Sequence, residues 1–145
     1  MYLYLIPKIK EILESVEVAD GKKLTVYPYP MGEGEYPDVY PAAVFFPDDY
    51  SNEFASNETN FKQIKFKLTV MINAENITNE EVFTFTLPSI TDKIISEIDE
   101  NWNVGTLNGK RVWLRTDVGF WSMDLSSGRI AFVEMDLLTK FETNN

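Results

Sequence analysis

The most regular pattern in the chain is the alternation of polar and apolar residues between Phe61 and Ala74. Successive side chains on a β-strand point to opposite faces of the sheet, so this alternation gives the segment one apolar face and one polar face. The apolar set is Ile64, Phe66, Leu68, Val70, Ile72 and Ala74, and the opposite set is Gln63, Lys65, Lys67, Thr69, Met71 and Asn73. The pattern predicts a half-buried antiparallel strand that spans roughly 40 Å at about 3.4 Å per residue.

Two other segments have helical periodicity. The apolar residues Leu5, Ile9, Ile12, Leu13 and Val16 fall on one helical face, which predicts a helix from about Pro7 to Val18, ended by Asp20-Gly21. The sequence Ser89-Ile90-Thr91-Asp92 is similar to a capping box, and the isoleucines at 90, 94, 95 and 98 have helical spacing, which predicts a second helix from about Ser89 to Glu100. The segment from Glu80 to Leu87 fits either a helix capped by Thr78 or a strand, and we favour the helix.

Shorter patterns predict the remaining strands and turns. The apolar run Ala42–Phe46 indicates a strand buried on both faces, in a hairpin with the central strand, and residues 48–60 are predicted to be a polar loop or flap. Asn108-Gly109 favours a tight hairpin turn. Asp117-Val118-Gly119 and Ser126-Ser127-Gly128 predict further turns, and Ile130–Phe141 a long closing strand followed by a polar tail at 142–145.

The segment from Tyr27 to Pro41, here called the arm, combines four prolines with four tyrosines. Proline disfavours helix in the residue before it, so the arm is expected to be extended. It is either a solvated connector or a projection that packs on a neighbouring subunit, since tyrosine is common at interfaces. The candidate interface residues are the arm tyrosines and the lysines of the central strand: Tyr27, Tyr29, Tyr36, Tyr40, Lys62, Lys65 and Lys67.

Composition removes most kinds of catalytic site. The 145-residue chain contains no cysteine and no histidine, which excludes zinc sites built from these residues and the usual nucleophile and histidine pairs. A net charge of -10 argues against wrapping nucleic acid. Asp48, Asp49, Asn52 and Glu53 lack the spacing of a calcium loop, so no metal site is predicted. We therefore expect a structural protein without cofactors and without enzymatic activity.

The tryptophans and the N-terminus each leave two interpretations. Trp102, Trp113 and Trp121 are interpreted as core residues, with a stacking platform for sugars or bases as the alternative. The apolar N-terminal segment lacks the basic and small-residue flanks of a signal peptide, and no apolar run is long enough to span a bilayer. Synthesis in the cytoplasm is expected.

The order of the predicted elements resembles that of the tail terminator, or tail-completion, proteins of long-tailed bacteriophages. These proteins are small ring-forming subunits that cap the tail tube at its head-proximal end. The resemblance covers most of the chain in element order. It is carried by Tyr40–Pro47, Phe61–Ala74, the helix around Ile94 and Ile98, and the closing strand.

The resemblance implies a single α+β domain over residues 1–145, with a mostly antiparallel sheet of long strands flanked by two helices. It further implies a homohexameric ring in the neck region of the virion, made in the host cytoplasm. Such a ring contacts the tail tube protein and the neck or head-completion proteins, while DNA passes through its lumen without specific binding. Another head-tail connector and a small carbohydrate- or peptide-binding module are the alternatives.

Overall fold

Long strands dominate the fold. A computed structural model describes residues 1–19, 21–54, 59–126 and 128–144. The helical segments are α1 (Tyr2–Glu14), α2 (Asn79–Glu81), a π-helix (Val82–Thr86) and α3 (Leu87–Glu100). The strands are β1 (Glu17–Ala19), β2 (Lys22–Lys23), β3 (Thr25–Tyr27), β4 (Ala42–Phe54), β5 (Thr59–Asn73), β6 (Asn103–Leu107), β7 (Lys110–Asp124) and β8 (Ile130–Asn144).

The alternating segment lies at the centre of the main sheet. The six strands are in the order β3-β4-β5-β8-β7-β6, and β5 pairs along its length with β4 on one side and β8 on the other. All neighbours are antiparallel except β3 and β4, which are parallel. The predicted hairpin between the Ala42 strand and the central strand is therefore confirmed.

The apolar face of β5 is buried, as the alternation predicts. Ile64, Phe66, Leu68 and Val70 are fully buried in one cluster that also contains residues of both long helices, including Leu5 and Ile94. The helices α1 and α3 thus cover the same face of the sheet. The prediction of a single α+β domain with long, mostly antiparallel strands and two main helices is confirmed.

The first helix differs from its predicted bounds at both ends. It begins at Tyr2 and ends at Glu14, so the range Pro7–Val18 was wrong. The Ser15 hydroxyl oxygen lies 2.6 Å from the Ile12 carbonyl oxygen and 2.9 Å from a carboxylate oxygen of Glu97 in α3, and this tertiary contact lies where the helix stops. Gly21, with φ of +80°, instead turns the small β1–β2 hairpin, and Asp20 lies outside the described residues.

The second helix begins earlier than predicted. Thr78 accepts the Glu81 N–H and caps a helical segment that continues through the π-helix into α3, so the helical interpretation of Glu80–Leu87 is confirmed. Pro88 is the second residue of α3 and lies directly after the π-helical turn. Ser89 is inside the helix, and the predicted capping box there was wrong.

Two segments that were predicted to be a loop or a turn are parts of continuous strands. β4 extends to Phe54, so residues 48–54 are not a loop, whereas 55–58 lie outside the described residues. Pairing with β5 satisfies the backbone of this polar stretch, with a bulge between Pro47 and Asp49. Likewise, the predicted turn at Asp117–Gly119 is a bulge inside β7, and Glu142–Asn144 of the predicted tail continue β8.

Two predicted hairpin turns are confirmed. Asn108 and Gly109 have φ of 54° and 79°, the left-handed conformation that a tight turn between β6 and β7 requires. Gly128, with φ of 106°, lies in the turn between β7 and β8, while Ser127 is outside the described residues. Among the described helices, none is long and apolar enough to cross a membrane.

Candidate functional site

The sheet face opposite the two helices, here called the open face, has a polar middle. Lys65 and Lys67 of β5 extend from it, with Nζ of Lys65 3.4 Å from Asp48 Oδ2 and Nζ of Lys67 3.6 Å from Glu134 Oε2. The hydrogen bond to Asp48, supported by the nearby charge of Asp136, raises the pKa of Lys65. Because these side chains are partly exposed to water, the pairs contribute little stability.

The arm folds back over one end of the open face. The Tyr36 hydroxyl donates to Asp124 Oδ2 at 2.9 Å, at the end of β7, and contacts the Ser126 hydroxyl. Three residues that the register places on this end of the open face, Ala42, Val44 and Ile130, are buried. The arm therefore covers this end of the sheet in the same subunit.

The other arm tyrosines are distributed around that end. Tyr27, in β3, packs edge to face against Tyr29, whose side chain is 53% exposed. Tyr40 lines a separate cavity with Pro41, Ile72 and Phe85, and burial raises its pKa, with a smaller effect from Tyr27.

The structure brings together some of the predicted interface residues and separates others. Lys65 and Lys67 share the open face with the arm, whereas Lys62 pairs with the buried Phe141 and so lies on the helix-covered face. A role of these lysines and tyrosines in a subunit interface remains a prediction.

The outermost strands of the main sheet, β3 and β6, are short, so each covers only part of the long strand beside it. β3 pairs with β4 only over Ala42–Val44, and β6 reaches β7 only as far as Trp113, after which the Leu114 N–H donates to the Trp102 carbonyl. Within the described residues, the strand pairings leave the outer edges of 46–54 in β4 and 115–124 in β7 without a backbone partner. The two edges run in opposite directions, because three antiparallel pairings separate them.

Large apolar side chains are exposed along these edges. Val118, Phe120 and Trp121 of β7 are 40%, 51% and 37% exposed, and Tyr50 of β4 is 43% exposed. Exposed apolar groups that cluster along one element are typical of interaction surfaces. The sequence interpretation misses this cluster, because the pattern predicts a turn where β7 has a bulge and assigns Trp121 to the core.

A groove of about 590 Å³ lies where the open face reaches β7. We call it the tryptophan groove, and its lining residues are Phe61, Gln63, Asp99, Trp102, Trp113, Leu114, Arg115, Leu138 and Lys140. Trp102 is 52% exposed, so its assignment to the core was wrong. Lys140 Nζ lies 4.4 Å from the centre of the Phe61 ring, a favourable cation–π distance.

The acidic residues do not form a metal centre in the described part of the chain. No three carboxylates there gather around a common point, and Asp48 is paired with Lys65. The open face, its two edges and the tryptophan groove are thus the candidate functional surfaces, all suited to binding.

Comparison of the chain with protein-family models and with curated protein sequences found no match. We therefore infer function from the sequence pattern together with the geometry of these surfaces.

Proposed function

We propose that the chain is a ring-forming structural subunit of a bacteriophage tail. In this role it caps the tail tube as a terminator or completion protein and docks it to the neck or head. The element order supports this proposal through its resemblance to the tail terminator family. The long strands and the absence of cysteine and histidine agree with a protein that works by complementary surfaces.

The observation that carries the proposal is the pair of free sheet edges on β4 and β7. A head-to-tail contact between copies closes into a ring when the rotation between neighbours allows it. Rotating one copy about an axis that runs roughly along the strands leaves the direction of its strands unchanged. The β4 edge of one copy then meets the β7 edge of the next in the antiparallel sense, which is well suited to backbone pairing.

Features of both edges favour a specific contact over open-ended aggregation. Pro47 and the adjacent bulge interrupt β4, and the bulge before Phe120 interrupts β7. Bulges and prolines are common means by which proteins restrict pairing at a sheet edge. The segments beyond these interruptions remain free to pair with one neighbour in one register.

The charge agrees with a ring through which DNA passes. At a net charge of -10, the subunit repels the phosphate backbone overall, so DNA does not adhere to the lumen. The same charge makes identical copies repel each other, and ring closure must therefore come from local contacts at the edges.

Mass measurement and imaging test the proposal together. In native mass spectrometry we expect a closed particle six times the 16.7 kDa mass of the chain. Negative-stain images of purified tail tubes mixed with the protein should show it at one tube end. A monomer at every concentration, combined with no binding to tail tubes or virions, would contradict the proposal, and binding at the head vertex would favour the neck-protein alternative.

The tryptophan groove favours one candidate from a different class, a carbohydrate- or peptide-binding module. Trp102, Trp113 and Phe61 supply aromatic surface, and Gln63 and Asp99 supply polar groups at its rim. This candidate predicts a monomer that binds ligands on a glycan or peptide array. If no ligand on either array binds, the carbohydrate- or peptide-binding function is excluded.

A further inference from the structure

We propose that Tyr50 of one subunit packs directly opposite Trp121 of the next, with residues 46–54 of β4 paired to residues 116–124 of β7. This inference rests on the proposed ring and deepens it, because it defines the register of the contact between copies. Three features of the structure lead to it: the length of each free edge, the side of the sheet on which the exposed aromatic residues lie, and the positions at which each edge is already covered.

The two free edges of the sheet have nearly the same length. β3 pairs with β4 as far as Val44, and Trp102 bonds to β7 at Leu114. The free segments are therefore 46–54 and 115–124, of nine and ten residues, and each contains one unpaired bulge residue. Without the bulge residue, the two segments offer eight and nine positions for pairing.

The exposed aromatic residues Tyr50 and Trp121 lie on the same side of the sheet. Tyr50 pairs with Ile64 and Trp121 with Val133, and both partners are buried on the helix-covered face. Residues directly opposite each other on neighbouring strands point to the same face, so both aromatic residues lie on the helix-covered side. Both nevertheless remain exposed to water. The two outer edges thus each leave one aromatic group uncovered on this face.

One register uses the whole free edge of β4 and keeps the two faces in line. With Phe46 opposite Asp124, all eight positions of β4 are paired, and Tyr50 is directly opposite Trp121. A shift by one position would place residues of the helix-covered side opposite residues of the open face. The aromatic pair is therefore a consequence of matching the edges.

Shifts by two positions fit less well in both directions. Moving the neighbouring strand toward Trp102 would place Phe54 opposite Leu114, whose N–H already bonds to the Trp102 carbonyl. The same move would place Val44 opposite Asp124, although β3 already occupies the outer side of Val44. A move in the other direction loses two of the eight pairs and separates the two aromatic side chains.

The register also sets the inclination of the strands in the ring. Tyr50 is in line with Thr139 of β8 through Ile64, whereas Trp121 pairs with Val133, six residues from Thr139. The contact therefore displaces each copy by six residues, about 20 Å, over four strand spacings, about 19 Å. Strands inclined by about 45° to the ring axis have this displacement, and strands in closed barrels are inclined by about 35–45°. Neighbouring edges remain antiparallel at this inclination.

The contact buries aromatic surface without breaking an ion pair. Aromatic residues directly opposite each other are among the stabilising cross-strand pairs. On the open face, Asp49 of one copy is opposite Ser122 of the next, and a serine hydroxyl can donate to a carboxylate. The ion pair between Asp48 and Lys65 is formed inside one subunit and remains in place.

Cysteine cross-linking tests the register, because the chain has no cysteine of its own. The double variant Asp49→Cys/Ser122→Cys leaves both aromatic residues in place and puts two cysteines directly opposite each other at every contact. Opposite Cα atoms on antiparallel strands lie about 4.5–5.5 Å apart, which suits a disulfide bond. Within one subunit the two positions are roughly 25 Å apart, three strand spacings across and six residues along, so no internal bond forms. Under mild oxidation we expect a covalent ladder of up to six chains on a non-reducing gel.

The matched control for register is Asp49→Cys/Arg115→Cys. Asp49 and Arg115 are in line across one subunit, and the proposed contact places them six positions apart between copies. This variant should cross-link at least about tenfold less than Asp49→Cys/Ser122→Cys. Each single cysteine variant should remain a single chain on the gel, which controls for chance collisions. Far-ultraviolet circular dichroism establishes that each variant is folded.

Alanine variants test the aromatic pair itself. Tyr50→Ala and Trp121→Ala should each need a protein concentration at least about tenfold higher than the wild type to assemble. Phe85→Ala is the matched control, because Phe85 is an exposed aromatic residue on the π-helix, outside both edges. It should assemble like the wild type.

The outcomes distinguish failure of this contact from failure of the ring. If the wild type forms rings and Asp49→Cys/Ser122→Cys forms them without cross-linking, the ring stands and the register is wrong. If Tyr50→Ala and Trp121→Ala assemble as readily as the wild type, the aromatic pair is wrong. If the wild type stays monomeric even with tail tubes present, the proposed function itself fails, and this contact fails with it.

Discussion

At the scale of single residues, a few polar contacts fix the end of the sheet where the arm lies. Asp124 accepts the Ser126 N–H at 2.9 Å and the Ser126 hydroxyl at 2.7 Å, and it also accepts the Tyr36 hydroxyl from the arm. These donors lower the pKa of Asp124, with the two contacts to Ser126 as the largest causes and Tyr36 next. The carboxylate thus ties the arm to the β7–β8 hairpin.

Removing either donor should raise the pKa of Asp124 toward its ordinary value of 3.8. We expect Ser126→Ala to raise it more than Tyr36→Phe, because the Ser126 hydroxyl is the largest single cause of the lowered pKa and the Ser126 N–H stays in both variants. A carboxylate with a lowered pKa stabilises the fold above the unfolded-state pKa, and this contribution is lost as the pH falls through the lowered native pKa. A carbon-detected NMR titration of the Asp124 carboxyl measures both shifts, and a larger effect of Tyr36→Phe would contradict this ranking.

Gly119 is the residue that permits the bulge in β7. A Cβ atom at this position would lie 2.9 Å from the backbone carbonyl oxygen of Glu134 in β8, closer than a real Cβ approaches. Gly119→Ala should therefore lower the free energy of unfolding by about 1–3 kcal/mol, measured by urea denaturation. Gly32→Ala is the matched control. There the new Cβ meets the flexible Glu35 side chain, and we expect a change within about 0.5 kcal/mol. Equal effects at the two sites would contradict the steric argument.

At the scale of elements, the helical segment from Asn79 to Glu100 shows how a cap sets a boundary. Thr78 has extended backbone angles, with φ of -70° and ψ of 153°, and its side chain accepts the Glu81 N–H. The helical hydrogen bonding that begins there continues through a π-helical turn into α3. A single capped start therefore orders more than twenty residues, including those that cover the sheet.

Loss of this cap should destabilise the whole domain. Thr78→Ala removes the acceptor for the Glu81 N–H, and we expect a loss of about 1 kcal/mol in the free energy of unfolding, measured by thermal or urea denaturation. Thr84→Ala is the control. Thr84 is an exposed threonine in the same helical segment, and it bonds back to the Glu80 carbonyl. Its replacement should change stability by less than about 0.5 kcal/mol, and a loss as large as that of Thr78→Ala would argue against capping as the cause.

At the scale of the whole molecule, the three tryptophans lie near the same edge of the sheet, the one formed by β7. Trp113 and Trp121 are in β7, and Trp102 lies beside it, whereas the opposite edge of the sheet carries Tyr50. Assembly through the β7 edge therefore changes the surroundings of the tryptophans, and tryptophan emission reports on it directly.

Ring formation should shift the tryptophan emission to shorter wavelength and protect it from acrylamide. We expect the shift to increase with protein concentration in the wild type as the ring assembles. Trp121→Phe should retain part of the shift, because Trp102 and Trp113 remain in the groove. Assembly detected by light scattering without any change in emission would show that the contact lies elsewhere on the molecule.

The sequence by itself determined the parts of this protein that depend on local pattern. The alternation from Gln63 to Ala74 decided which face of β5 is buried. Side chains alternate between the two faces of a strand, so all the apolar residues of this segment lie on the same face, and that face is the one removed from water. The Asn108-Gly109 pair determined a hairpin turn, because few other residues adopt left-handed angles at low cost. The absence of cysteine and histidine excluded zinc sites and nucleophilic catalytic sites built from these residues before any fold was known.

Tertiary structure decided the features that depend on distant partners. Residues 48–54 form strand because β5 pairs with them, although their composition is that of a loop. Asp117–Gly119 bulges where its composition predicts a turn, because β8 holds both flanking segments in register. The tryptophan groove joins Phe61 of β5, Leu138 of β8 and Trp113 of β7. No local pattern encodes this groove, since it follows from the pairing of three strands at once.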